Sequence, residues 1–291
     1  MRELTDRQYW DSVYEAEAGV PLHPPEAAPG APPAGRRVKR LIKKLLGGTI
    51  LDAAQSYAEY RLWDVIYRTH MPALAGADVL EIGSAPGTHL VQLRDAFGIV
   101  PYGIDRSDRG VEIHRKVFAA HQIDLRNVIH ADVLSDEVRQ RYGGYFDVVL
   151  SRGFVEHFTD PSAVIARHLE LLKPGGHLLV SIPNLRGVNY VLARFFNRPV
   201  LAMHNIGIMR RHAFSALFDP ARLSPRFCGY YGTFDFGLFN TQPGAPQRHV
   251  LALCRKLQLG LNVAFRSLLG ERGAESRFSS PYLLYVGVKK R

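Results

Sequence analysis

The chain has 291 residues, 46% of them hydrophobic, a length that favours one large α/β core with additions over two equal domains. Of its formal net charge of +10, six charges lie in residues 36–44 and three in residues 289–291, so the rest is almost neutral. This distribution disfavours a face that follows many nucleic-acid phosphates, and we expect no nucleic-acid substrate. Cys228 and Cys254 have neither metal-ligand nor disulfide-framework spacing, which predicts buried free thiols.

Two segments at the start of the chain are predicted to lie outside the central domain. Residues 1–20 are expected to form a short helix, and residues 21–35, reading PLHPPEAAPGAPPAG, a flexible or extended linker. The first residues lack the apolar region of a signal peptide, and no uncharged apolar run has membrane-spanning length, which predicts a cytoplasmic protein. The apolar edge of the first helix consists of Tyr9, Trp10, Val13 and Tyr14.

Residues 36–75 are predicted to contain two further helices. In the first, residues 36–46, apolar side chains recur at helical spacing opposite the basic ones, which indicates an amphipathic helix. Two interpretations stay open for it: packing on the domain with its charged face in solvent, or attachment to an anionic membrane surface or acidic partner. The second helix, residues 51–70, is rich in aromatic side chains and ends before Pro72.

The most informative stretch is residues 79–90, which read VLEIGSAPGTHL. An apolar run typical of a buried strand leads into a loop of small residues, and the loop opens an amphipathic helix. Gly83 and Gly87 would let the backbone approach a small molecule closely. The dinucleotide pattern G-x-G-x-x-G fails because Ala85 and Thr88 occupy its second and third glycine positions, and no G-K-[ST] follows as a P-loop requires.

The order E-x-G-x-A-P-G instead resembles motif I of class I S-adenosylmethionine-dependent methyltransferases, with Ala85 at the middle glycine. Asp105 ends a predicted second strand, where the family has an acid that accepts from both ribose hydroxyls. Asp132 follows a third strand, like the family's residue near the adenine amino group. The resemblance spans about residues 79–184 and implies S-adenosylmethionine as cofactor. The cofactor-binding residues that it implies are Glu81, Gly83, Ser84, Ala85, Gly87, Asp105, Arg106, Asp132, Val133, Ser151 and Tyr57. For Tyr57, and for Tyr60 in the same helix, a place in the core is an equal alternative.

The same resemblance implies an α/β fold: a doubly wound, mostly parallel seven-stranded sheet with an antiparallel last strand, here residues 76–291. A fourth strand is predicted at residues 146–150, a sixth at 232–239 and the last at 279–290. Residues 185–273 are predicted to be an insertion that shapes the acceptor pocket. Within it the sequence predicts helices at 186–196, 210–218 and 250–269; the last is also a candidate homodimer contact.

Catalytic candidates follow the fourth strand and lie in the insertion. His157 is the leading general base, because imidazole can take a hydroxyl proton near neutral pH, and Glu156 and His204 are further candidates. For His204 the leading interpretation is a structural histidine, with a base or an acceptor contact as the alternatives. In the family a histidine at the position of His157 often lines the cofactor pocket instead. An amine or carboxylate acceptor would need no base.

Missing motifs narrow the substrate class. Residues 151–154 read S-R-G-F where nucleobase and amide N-methyltransferases carry [DN]-P-P-[FY], and the Lys-Asp-Lys-Glu set of ribosomal RNA 2'-hydroxyl enzymes is absent. The strand ends also lack the acids that hold magnesium in catechol-type enzymes, so no catalytic metal is expected. The leading prediction is O-methylation of a small molecule or glycan, with a lipid-linked acceptor left open. The alternatives are N- or carboxyl-methylation of a small metabolite, or a non-catalytic module that binds S-adenosylmethionine.

Overall fold

The computed structural model describes residues 2–17, 56–71 and 74–291. Within these ranges seven strands form one sheet with the order β3-β2-β1-β4-β5-β7-β6. The predicted linker and basic amphipathic helix lie outside the described residues. The strands are β1 (Asp78–Ile82), β2 (Val100–Asp105), β3 (Val128–His130), β4 (Phe146–Arg152), β5 (Leu172–Pro183), β6 (Leu223–Tyr231) and β7 (Tyr282–Lys289).

The strand order creates a crevice at the carboxyl edge of the sheet. β1 pairs in parallel with both β2 and β4, so the chain crosses the sheet in opposite directions from this central strand. β3 and β5 extend the parallel part, while β7 runs antiparallel to β5 and β6. Ligands of open α/β sheets bind where the winding direction changes, which is above β1 and β4 here. The predicted fold class is confirmed.

Helices cover both faces of the sheet, as alternation along the strands requires. In β1, Val79 belongs to one apolar cluster with side chains of α2, α3 and α4, while Leu80 and Ile82 belong to another with side chains of α5 to α9. The helices are α1 (Arg7–Glu17), α2 (residues 57–70, π-helical over Arg61–Tyr67), α3 (Thr88–Phe97), α4 (Asp108–Ala120), α5 (Asp136–Tyr142), α6 (Ser162–Leu171), α7 (Val188–Asn197), α8 (Arg211–Ser215) and α9 (Gln247–Leu269). No helix among the described residues has the length and apolar content to cross a bilayer.

Three predictions about this part of the chain were wrong in detail. The sixth strand is β6, which pairs with β7, and not residues 232–239. Gly232 and Thr233 have φ values of 95° and 53°, which end the extended chain, and the Asp235 side chain accepts from Gly237 N to form a short 3-10 turn. α8 is shorter than predicted. Both cysteines are free but half-buried rather than buried, since Cys228 lies on edge strand β6 and Cys254 on α9.

The predicted helices at the start of the chain, at residues 186–196 and at 250–269 are present as α1, α7 and α9, and the predicted last strand is β7. The predicted insertion is divided by the sheet. Because β6 is one of the seven strands, residues 185–273 form two excursions, one before it and one after it. The first contains α7 and α8, and the second contains α9.

Candidate active site

Two adjoining cavities open at the carboxyl edge of the sheet. The β2–β3 cavity lies beside the ends of those strands and is lined by Asp105 and Asp132. The β4–β5 cavity is lined by the ends of β4 and β5 and by residues from both excursions. The lining residues that the two cavities share are Trp10, Gly83, Ala85, Arg152, Gly153 and His157.

The turn between β1 and α3 is built by close packing. Gly83 has φ 69° and Gly87 has φ 89°, values that other residues rarely adopt. A Cβ on Gly83 would lie 2.9 Å from the Phe154 ring, and one on Gly87 would lie 2.1 Å from the His114 ring. Neighbouring side chains therefore require glycine at both positions. Glycine here also agrees with the predicted close approach of the backbone to a ligand. The predicted Ser84 lines the β4–β5 cavity, and its Oγ lies 3.2 Å from His114 Nδ1.

Glu81 at the end of β1 presents an unsatisfied acceptor. Its Oε1 lies 2.9 Å from His89 Nδ1, whereas Oε2 is buried with no hydrogen-bond partner among the described residues. Buried polar atoms are rarely left unpaired, so Oε2 fits a ligand that carries a donor. Because Glu81 lines the cavity beside the glycine turn, its position suits the charged amino-acid end of S-adenosylmethionine.

Carboxylates at the ends of β2 and β3 line the β2–β3 cavity. Asp105 accepts from Ala85 N (3.2 Å) and from Ser107 N (2.9 Å), and burial raises its pKa. Each carboxylate oxygen has two lone pairs, so these bonds leave room for two ligand hydroxyls. Asp132 is more exposed, and its Oδ1 accepts from Leu134 N at 2.8 Å. The predicted Arg106 and Val133 line the same cavity.

The N-terminal segment covers the β2–β3 cavity, a role that sequence reasoning missed. Tyr14 Oη donates to Ala85 O at 3.2 Å, and Arg106 Nη1 donates to Glu3 Oε1 at 2.8 Å. Trp10 contacts the His157 ring edge-on with centroids 5.0 Å apart, and lines both cavities. The apolar edge of α1 was the available signal, but helical spacing does not say what an edge packs against.

Glu156, His157 and His204 meet in the β4–β5 cavity. One potential ligand atom from each lies within 4.8 Å of the other two. Burial lowers the pKa of His157 to about 3, with His204 adding to the effect, and it also lowers the pKa of His204. Burial raises the pKa of the Glu156 carboxyl to about 8. The structure thus brings together the three catalytic candidates, which come from the turn Val155–His157 and from a later excursion.

Two predicted cofactor residues do not line either cavity. Ser151 is buried within β4, where its Oγ lies 3.0 Å from His168 Nε2. Tyr57 is fully buried against α9: its ring lies 5.7 Å from that of Phe265, and its hydroxyl donates to Gly270 O at 2.7 Å. For these residues the structure supports a packing role, because α2 turns this tyrosine away from the crevice.

The fold and the turn after β1 define a class I, Rossmann-like S-adenosylmethionine-dependent methyltransferase. Residues 54–223, more than half of the chain, match the family model described as "Methyltransferase domain", and the chain belongs to that family. It is therefore expected to share the family's general chemistry, while the acceptor has to be argued from the second cavity.

Curated relatives resemble part of the chain. The ubiquinone biosynthesis O-methyltransferase of Acinetobacter baumannii (strain ACICU) is 30% identical over 141 residues, covering 48% of this chain and 58% of the relative. The enzyme of the same name from Thiobacillus denitrificans is 28% identical over 152 residues, covering 52% and 62%. The chain thus spans about three fifths of the length of these relatives.

Solved structures share the fold. Geranyl diphosphate C-methyltransferase from Streptomyces coelicolor A3(2), in complex with Mg²⁺, geranyl diphosphate and S-adenosyl-L-homocysteine, has a TM-score of 0.56 at 16% identity, covering 97% of this chain and 98% of that one. Phosphoethanolamine N-methyltransferase 2 of Haemonchus contortus, in complex with S-adenosyl-L-methionine, has a TM-score of 0.51 at 15% identity, covering 80% and 53%. By name these enzymes methylate carbon and nitrogen, so the shared fold does not fix the acceptor atom.

Proposed function

We propose that this protein transfers the methyl group of S-adenosylmethionine to a hydroxyl oxygen of a small, largely uncharged molecule. The acceptor oxygen attacks the methyl carbon, the bond from sulfur to that carbon breaks with its electrons going to sulfur, and S-adenosylhomocysteine leaves. The observation that carries the proposal is the junction of the two cavities at Gly83, Ala85 and His157. A cofactor with its nucleoside in the β2–β3 cavity and its amino-acid end at Glu81, beyond the junction, would present its methyl group to an acceptor in the rest of the β4–β5 cavity, aligned for in-line displacement.

The cofactor fits the groups around the glycine turn. Asp105 would accept from the ribose hydroxyls, Asp132 and Val133 would lie by the adenine, and the unpaired oxygen of Glu81 would accept from the amino-acid end. These assignments rest on the lone pairs that remain on the carboxylates and on the resemblance to motif I. Trp10 and Tyr14 would then exclude water from the nucleoside side.

The β4–β5 cavity favours an apolar or aromatic hydroxyl compound. The only basic side chain in its lining besides histidines, within the described part of the chain, is Arg152, and that guanidinium donates to Glu59 Oε1 at 3.1 Å. A strongly anionic acceptor would find little compensating charge there. The remaining lining combines polar side chains, among them Ser181, Asn197 and Asn240, with a larger set of apolar and aromatic ones, namely Ile182, Leu185, Ala193, Val200, Leu238, Phe239, Tyr231 and Tyr282.

Oxygen is favoured as the acceptor atom because proton-accepting groups lie where the cavities join. A hydroxyl must lose its proton during methylation, whereas a neutral amine can react first and lose it afterwards. The relatives named as O-methyltransferases support the same atom. We infer that the acceptor proton leaves at the cluster of Glu156, His157 and His204, where the Glu156 carboxylate, whose pKa burial raises to about 8, holds a proton more readily than His157, whose pKa burial lowers to about 3.

The test is methyl transfer from labelled S-adenosylmethionine to a panel of phenols, aliphatic alcohols, sugars, lipid-linked glycans, amines and carboxylates. We expect labelled product and S-adenosylhomocysteine with phenolic members of the panel. Exclusive transfer to amines or carboxylates would overturn the acceptor class. Saturable cofactor binding in calorimetry without transfer to any member would favour a non-catalytic module.

A further inference from the structure

We propose that Glu156, His157 and His204 form a binding site for a divalent transition-metal ion of the zinc type. The site would lie in the β4–β5 cavity, which all three side chains line. Its catalytic role rests on the proposed function, whereas the binding of the metal does not. The proposal is carried by three features of the cluster: the fixed tautomers of its histidines, its unpaired carboxylate and its construction from two cross-linked segments.

The two imidazoles present the correct nitrogen. His157 Nδ1 lies 2.9 Å from Met203 O, and His204 Nδ1 lies 2.7 Å from Val200 O. Because a carbonyl oxygen can only accept, each Nδ1 carries the proton and each Nε2 keeps its lone pair. Metal-binding histidines are oriented in this way, with the distal ring N–H donated to a backbone carbonyl or a carboxylate.

The protein offers the Glu156 carboxyl group little compensation, because only its own backbone N–H acts to lower its pKa against the larger effect of burial. Glu156 is fully buried, and neither of its oxygens has a hydrogen-bond partner in the part of the chain that the structure describes. His157 Nε2 lies 4.0 Å from Oε1, beyond hydrogen-bond distance. A buried carboxylate with both oxygens unpaired is costly, and a divalent cation would satisfy it.

The cluster is held by bonds between its two segments. The Met203 carbonyl that binds His157 belongs to the 3-10 turn just before His204, and Asn205 N donates to Glu156 O at 2.7 Å. The backbone on either side of His204 is thus tied to the turn that carries the other two ligands. Such support from neighbouring groups is what positions the direct ligands of a metal.

The donor set selects the class of metal. Two imidazoles and one carboxylate suit zinc, iron or manganese, whereas magnesium and calcium prefer sites built from oxygen alone. Three protein ligands leave a coordination position open, as in catalytic zinc sites. An acceptor hydroxyl bound there would release its proton to solvent water more readily, because the metal would stabilise the oxyanion, and that oxyanion would attack the methyl carbon as the bond from carbon to sulfur breaks. The cluster would then activate the acceptor without a lone histidine base.

The experiment uses the untagged full chain, stripped with a chelator and titrated with Zn²⁺ or Co²⁺. We expect one tightly bound ion per chain by elemental analysis after gel filtration, and tetrahedral-type visible absorption with Co²⁺. His204→Gln and Glu156→Gln should each weaken metal binding by a factor of at least about ten. The matched control is His212→Gln, which removes an exposed histidine and should bind metal like the unaltered protein.

Binding of S-adenosylhomocysteine checks that each variant retains its fold, because the β2–β3 cavity does not include His204. Failure of the folded, unaltered protein to bind either ion would overturn the proposal, and so would equal metal affinity in the His204→Gln variant. Methyl transfer in the stripped protein would remove the catalytic role alone. Metal binding without any methyl transfer would support the site and contradict the proposed function, so the two failures are distinguishable.

Discussion

The two cavities differ in how completely the protein satisfies its own polar groups. In the β2–β3 cavity, Asp105 already accepts two backbone N–H groups and the glycine turn is packed against His114. In the β4–β5 cavity, the carboxyl oxygens of Glu156 are buried without a hydrogen-bond partner in the described residues. The first site is thus preorganised for a ligand whose shape is fixed. The second keeps unsatisfied groups, which is typical of a place where chemistry occurs.

Of the substitutions considered, Gly87→Ala is expected to have the largest effect on stability and cofactor binding. Its new Cβ would lie 2.1 Å from the His114 ring at φ 89°, so steric overlap and backbone strain act together. We expect at least about 3 kcal/mol loss in the free energy of unfolding, measured by urea denaturation, together with loss of cofactor binding. Gly144→Ala is the control, because its φ is 64° but nothing lies within 4 Å of the added Cβ. If both variants lost the same stability, packing against His114 would not be the cause.

The second-largest effect is expected from His157→Gln, which should change turnover without changing cofactor affinity. His157→Gln should lower kcat by about 10²-fold or more, because it removes a proton-accepting or metal-binding nitrogen from the reacting groups. The affinity for S-adenosylhomocysteine should stay within a few-fold, since the polar contacts to the cofactor are assigned to Glu81, Asp105 and Asp132. Steady-state kinetics and calorimetry measure the two quantities. Full turnover in this variant would remove His157 from the chemistry.

Asp105→Ala should show the opposite pattern. Loss of the acceptor for the ribose hydroxyls should weaken cofactor binding by about 1 to 3 kcal/mol, while kcat at saturating cofactor changes little. Asp105 also accepts from Ala85 N and Ser107 N, so Asp105→Asn, which keeps one oxygen, should recover part of the affinity. Asp124→Ala, at an exposed position in another loop, is the control. Unchanged affinity in Asp105→Ala would refute the assignment.

The contrast between the cavities also explains what the sequence could predict. Motif I and the acids at successive strand ends are local patterns, so the fold and the position of Asp105 and Asp132 followed from them. The covering of the β2–β3 cavity by Trp10 and Tyr14 could not be predicted from the sequence, because it depends on the long-range packing of α1. The sequence predicted no metal because the strand ends lack suitable acids. The proposed metal site instead joins the turn that carries Glu156 and His157 to His204, about 50 residues later in the chain, and sequence spacing cannot reveal such a pairing.

The smallest effect is a pH dependence of stability that arises from two buried histidines outside the cavities. His114 supports the glycine turn and His168 supports Ser151, and burial lowers the pKa of each to about 4. In the unfolded chain these histidines take up protons near pH 6.5, so the unfolded state gains protons first as the pH falls. Stability should therefore be complete above pH 6.5 and decline towards pH 4.

Between pH 7 and pH 6 the loss should be roughly 0.7 kcal/mol for each histidine, measured by urea denaturation. His168→Gln should reduce this slope, and His249→Gln, at an exposed position, should leave it unchanged. The His168 ring has both nitrogens engaged, by Val164 O and Ser151 Oγ, so its neutral form is held in one tautomer. Ring proton resonances that titrate near pH 6.5 in the folded protein would contradict the assignment for His168, because a buried, fully bonded imidazole should resist protonation until well below that value.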